Sequence, residues 1–239
     1  MSRTRQMMVM ASWGAFAFAP AAAEEAKAPI ESTTRIEDPA QHRRRGPQNS
    51  PFRAESYREF VFRQLDVRPG DVVVDVGAGD GFWTEQLARR VGADGTVWAA
   101  EVSQKLVDAL SARFAAMPPV KAHLIPANHL DLPDGSIDLA FFSLVYHHLP
   151  DDKAGYLKRL CQVMKPTGRL AIIERYSVLL SDPKVHGAPM SKLLEAAESA
   201  GWVMLRYDLM PGSNHYLAIF AQKDLFDEDK PPPKKDGSQ

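Results

Sequence analysis

The run VVVDVGAGDGFWT, Val72 to Thr84, constrains this chain more tightly than any other stretch. Its first half is a short, continuous, β-branched segment, the pattern of a strand buried on both faces of a parallel sheet. Its second half spaces glycines at 77, 79 and 81 and then turns apolar at helical spacing. A strand that runs through a glycine turn into a helix puts backbone amides and the positive end of a helix at the carboxyl edge of a sheet. Such a loop is shaped for a nucleotide-like ligand.

Two common ligands of this kind are disfavoured by the residues present. The dinucleotide fingerprint G-x-G-x-x-G needs a third glycine where the helix approaches the strand, and that place holds Phe82. A phosphate-binding P-loop needs a lysine followed by serine or threonine, which the loop lacks.

The rest of the chain alternates strand and helix patterns. Strands read at 71–76, 96–101, 121–125, 137–144 and 169–175, with helices near 82–91, 103–116, 151–164 and 190–200. A helix leads in from Ser50 as N-cap and Pro51 at the first helical position, with Phe52, Tyr57, Phe60, Val61 and Leu65 at helical spacing. Near the end, WVMLRYDLM and HYLAIFAQK are separated only by PGSN, too short for a helical crossover and right for an antiparallel hairpin. The expected architecture is α/β, a Rossmann-like doubly wound and mostly parallel sheet with a C-terminal antiparallel hairpin.

Outside residues 51–223 the sequence changes character. Arg3 and Arg5, an apolar run and the small residues before Glu24 read as a signal-peptide-like segment over 1–23. That run is shorter than the roughly 20 residues a bilayer span needs, so no stable span is expected once it is cleaved. The pattern points to a periplasmic or secreted protein. A transit peptide, an uncleaved anchor or a later start at Met7, Met8 or Met10 remain open, with a cytoplasmic or organellar location. Residues 24–50 read as a polar linker and 224–239 as a charged, proline-rich disordered tail. A net charge of -1 supplies no basic field for nucleic acid. Cys161, the single cysteine, excludes an internal disulfide and reads as core.

In Asp75 followed by Gly77, Gly79 and Gly81, the opening run resembles the first motif of class I S-adenosylmethionine-dependent methyltransferases. The likeness continues in order through WAAEVS, PANHLDLPDGSIDLAFF, VYHHLPDD and MKPTGRLAIIE. It implies S-adenosylmethionine as cofactor, with Gly77 and Gly79 against its methionine portion, Gly81 in the same cofactor loop and Asp75 toward its ammonium or a water on it; alternatively the glycines serve only the turn and Asp75 caps the helix start. Glu101 would hold the ribose hydroxyls, because one carboxylate accepts from both. Asn128, where the family expects an aspartate, and its neighbour His129 fall at the adenine. His129 otherwise has no chemical company in sequence, like His42, His123 and His215. Trp83 is read either as a wall of the pocket or as core.

The resemblance also implies methyl transfer to a small-molecule acceptor at the edge after the fourth strand. Tyr146, His147 and His148 are the candidate catalytic residues there, since a histidine serves as general base at neutral pH and a tyrosine as pocket wall or donor. Glu174 and His186 point toward the same crevice, as acceptor contacts or, for Glu174, a loop anchor. Without compact ligand spacing they define no metal site. Two other readings stand beside the methyltransferase: a non-catalytic cofactor-binding or regulatory module on the same fold, and a nicotinamide oxidoreductase, which Phe82 disfavours.

Overall fold

The computed structural model describes residues 55–176, 187–210 and 213–229. The signal-like segment, the polar linker, the Ser50–Pro51 cap, His42, His186 and the end of the tail lie outside the described residues.

The elements run α1 (Glu55–Leu65), β1 (Val72–Val76), α2 (Phe82–Val91), β2 (Thr96–Glu101), α3 (Gln104–Arg113), β3 (Val120–Leu124) and β4 (Ile137–Ser143). A 3-10 turn at Tyr146–His148 leads to α4 (Lys153–Val163), β5 (Met164–Arg175), α5 (Met190–Ser199), β6 (Trp202–Leu209) and β7 (His215–Gln222). They form one seven-stranded sheet in the order β3-β2-β1-β4-β5-β7-β6. The first five strands are parallel, while β7 pairs antiparallel with both β5 and β6. The expected architecture is therefore present, and its hairpin places the last strand inside the sheet and β6 at the edge.

Strict alternation along the central strands sends neighbours to opposite faces. Val73, Phe141, Ile173 and Leu217 pack with Val61 and Leu65 of α1 and Trp83 and Leu87 of α2. Val74, Phe142, Ile172 and Ala218 pack with Tyr156 and Leu157 of α4 and Leu193 of α5. Both faces are covered, which is why β1 reads as an unbroken β-branched run. Trp83 is core: its ring lies 5.3 Å from Phe141 and 5.8 Å from Phe62, centroid to centroid, so the pocket-wall alternative is set aside.

Two boundaries differ from expectation. β5 begins at Met164 rather than Arg169, because Met164 pairs with Ile137 before the register slips between Ile137 and Leu139. Asp138 holds this irregular start together, accepting from Lys165 Nζ at 2.9 Å and from the Val72 amide at 2.8 Å. Pro166 and Gly168 made the stretch look like a turn. At the other end, where the sequence read as tail from residue 224, residues 223–226 form a 3-10 turn tied back by the Lys223 amide to the Gly201 carbonyl at 2.8 Å.

The switch in strand order falls between β1 and β4: the chain winds outward through β2 and β3 on one side and through β5 on the other. In sheets of this kind the ligand crevice lies beyond the carboxyl ends of the two strands at the switch.

Gly81 closes the turn into α2 at φ +80°, where an added Cβ would lie 2.5 Å from the Phe114 ring and 2.9 Å from Leu110. Gly135 has φ +61° and open space around it. Gly81→Ala should cost about 2–4 kcal/mol and Gly135→Ala about 1–2, the difference being overpacking against Phe114. Urea denaturation of the two variants beside the parent chain checks this.

Candidate functional site

The turn after β1 is held by hydrogen bonds to the end of β2. The Gly77 and Ala78 amides both donate to the Ala100 carbonyl, at 2.9 and 3.2 Å. The Gly79 amide donates to Glu101 Oε1 at 2.7 Å, and the Val102 amide to Oε2 at 3.2 Å. Glu101 is 7% exposed and, among the described residues, forms no ion pair. Each carboxylate oxygen keeps a second acceptor site, so the side chain can still accept hydroxyl donors.

The three glycines answer three different demands. At Gly77, φ +68°, a Cβ would meet Val145 Cγ2 at 2.5 Å, so the turn and the loop after β4 are in close contact. Gly81 makes room for α3, as described. Gly79, φ +58°, has only the Gly77 carbonyl within reach of a Cβ, at 3.9 Å. Of the three it faces open space, and that cradle beside Glu101 fits a ribose-bearing ligand such as S-adenosylmethionine lying against the backbone.

Asp75 is turned to the start of α2, in line with the second of its two readings. It is 2% exposed, and its Oδ2 accepts from the Thr84 hydroxyl at 2.6 Å, tying β1 to the first turn of α2. Burial pushes its pKa up to about 7; the Thr84 hydrogen bond opposes the rise and the Glu101 charge adds to it. Thr84 was not singled out in sequence. Strand alternation could have found it, since Asp75 shares the Val73 face of β1, which α2 covers.

Asn128 is exposed in the turn after β3, its Oδ1 2.8 Å from His129 Nδ1 and its carbonyl accepting from Arg159 Nε at 2.9 Å. His129 lines a cavity of about 340 Å³ with Tyr156 and Arg159 of α4. The structure thus brings this pair together with α4.

The catalytic candidates occupy the loop after β4. The Glu174 carboxyl, 0% exposed at the end of β5, receives the His147 ring Nδ1 at 2.7 Å and the His147 amide at 3.2 Å on Oε2, and the Arg175 amide at 2.6 Å on Oε1. A carboxylate at Nδ1 selects the tautomer with its proton there and the lone pair on Nε2. The His148 ring lies tilted beside it, centroids 3.9 Å apart. Leu144, His147, His148 and Arg175 line a cavity of about 300 Å³. Leu144 sits at φ +58°, a strained value for leucine, at the exit of β4. Tyr146 is 1% exposed; burial, and then the Glu174 charge, push its pKa up to about 12, and its hydroxyl has no hydrogen-bond partner among the described residues. It therefore backs the site as a core residue. Glu174 was read as an acceptor contact or loop anchor; its part as the orienting partner of His147 emerges only when β4 and β5 lie side by side.

Among the described residues no group of three or more His, Cys, Asp or Glu is placed to hold a metal ion, and no helix is long and apolar enough to cross a membrane.

The chain is similar to known proteins. Residues 73–168 match the family model described as Methyltransferase domain. A stretch of 121 residues is 36% identical to a 37.1 kDa protein of transposon TN4556 from Streptomyces fradiae, covering 51% of this chain and 35% of that one. Over 124 residues the chain is 30% identical to demethylmenaquinone methyltransferase from Bacillus mycoides, covering 51% of this chain and 52% of the relative. The crystal structure of a SAM-dependent methyltransferase from Aquifex aeolicus superposes with a TM-score of 0.64 at 25% identity, over 77% of this chain and 97% of that one. The chain spans about a third and about half of the length of the two curated relatives, and nearly all of the solved structure. Residues 73–168 are thus similar to a methyltransferase domain, and the fold is that of the Aquifex aeolicus SAM-dependent methyltransferase.

Asp75 yields a test of its buried state. Its folded pKa lies above the unfolded value of about 3.9, so the folded chain binds the extra proton. The associated stability is complete below about pH 4 and is lost as pH rises through the folded value of about 7. Asp75→Asn should be more stable than the parent at pH 8, with the gap closing toward pH 4. Urea midpoints of both proteins across that range check it; a constant gap contradicts the buried-acid account.

Proposed function

We propose that this chain transfers a methyl group from S-adenosylmethionine to a small acceptor of quinone or phenol type, with His147 as general base. The observation that carries this reading is the contact of Val145 with Gly77. It sets the glycine turn and Glu101 directly against the loop that presents His147, as a donor site and an acceptor site must be. The name of the Bacillus mycoides relative, demethylmenaquinone methyltransferase, supports an acceptor of quinone class.

Gly79 and Glu101 would hold the cofactor, the glycine by backbone approach and the carboxylate by accepting from hydroxyls. When bound, S-adenosylmethionine supplies an electrophilic methyl whose bond to sulfur breaks, its electron pair staying on sulfur, as the acceptor's bond to carbon forms. The task of the chain is then to fix the acceptor in line and to remove its proton. His147 Nε2 takes that proton. Glu174 holds the ring in the competent tautomer and stabilises the imidazolium that results, much as a buried carboxylate serves the histidine of a hydrolase triad. The cavity of about 300 Å³ is at the low end of small-molecule sites and fits one or two rings.

Calorimetry with S-adenosylhomocysteine is the direct test of the donor site. The parent chain should bind it; Gly79→Arg should abolish binding by filling the cradle, and Glu101→Ala should weaken it at least about tenfold. A folded parent that binds none contradicts the proposal. Once a substrate is found, His147→Ala should lower kcat about 10²-fold or more and leave S-adenosylhomocysteine affinity unchanged. Binding without turnover on any quinone or phenol would instead favour a cofactor-binding module.

A further inference from the structure

Arg175, the last residue of β5, lines the same cavity as His147, and the reading above gives it no task. Its Nε is buried without a hydrogen-bond partner, and its guanidinium enters no hydrogen bond or ion pair among the described residues. Arg175 as a whole is half-buried, and a buried N–H donor is ordinarily paired because desolvation without a partner is costly. Among the described residues no carboxylate is hydrogen-bonded or ion-paired to the guanidinium. The Glu174 carboxylate accepts from the Arg175 amide and from His147, not from the guanidinium. His215, the cross-strand neighbour of Arg175, is held down to about 4 by burial and then by the Arg175 charge, so it is neutral.

We infer that Arg175 recognises the acceptor, and that the acceptor carries an acidic hydroxyl of phenol or enol type. In the bound acceptor the O–H bond breaks, the electron pair stays on oxygen and the proton passes to His147 Nε2. The oxyanion then lies against the Arg175 guanidinium, whose planar fork suits it. A carboxylic acid reaches the site already ionised and would give the Glu174–His147 pair no proton to remove, whereas a phenol or enol gives it one. The inference rests on the methyltransferase reading for the use of that anion, but the binding preference is a property of Arg175 itself.

The test uses the full chain and two probes of the same ring system, 2-naphthol and 2-methoxynaphthalene, titrated by calorimetry with and without S-adenosylhomocysteine. The parent should prefer 2-naphthol by about tenfold or more. Arg175→Leu should bind the two probes alike and Arg175→Lys should keep part of the preference, both with unchanged affinity for S-adenosylhomocysteine, which also certifies their folds. A preference that survives Arg175→Leu, or a parent that shows none, overturns the assignment. A parent that discriminates between the naphthalenes but does not bind S-adenosylhomocysteine would keep Arg175 as an oxyanion site and overturn the methyltransferase reading beneath it.

Discussion

The hydrogen bond from the Gly79 amide to the Glu101 carboxylate, 2.7 Å long, is the tie on which the crevice depends. It joins the ends of the first two strands where the chain leaves the sheet, and it fixes a carboxylate that would otherwise have many rotamers. Because that carboxylate is buried, its amide donors also make its position tolerable in a medium of low polarity. The glycine conformation, the direction of α2 and the open face of the turn all follow from where this bond holds the backbone.

Across the crevice a second buried carboxylate performs a parallel task. Glu174 collects three N–H groups, one of them on the His147 ring, and so converts the flexible exit of β4 into a defined surface. The halves meet where Val145 leans on Gly77, so a change on one side is felt on the other through packing rather than charge. Leu144, held at positive φ just before this contact, is the backbone strain that places the loop there.

Much of this was legible in the sequence because it rests on local pattern. The β-branched run before Gly77 announces a doubly covered strand, and the short PGSN link forces antiparallel pairing. What was hidden depends on which strands become neighbours. His147 and Glu174 lie 27 positions apart and meet because β4 and β5 pair, a fact that no spacing along the chain records. The start of β5 was masked because Pro166 and Gly168 carry turn signals that pairing to Ile137 overrides. Asp75 was read either toward the cofactor or at the helix start, and the period of two along β1 turns it toward α2. Val145 has no chemical signature at all. Its importance is steric, and steric contacts are visible only in three dimensions.

The insertion of β7 between β5 and β6 also has a meaning in time. Synthesis delivers β5 early and β7 late, so during translation the open edge of β5, and the Glu174 it carries, stay unpaired until residues 215–222 have left the ribosome. An open parallel edge is a template for the wrong partner. The nascent chain is therefore most exposed to mispairing over the interval in which residues 176–214 are made, and a chaperone that shields β5 during that interval would act where the fold is least protected.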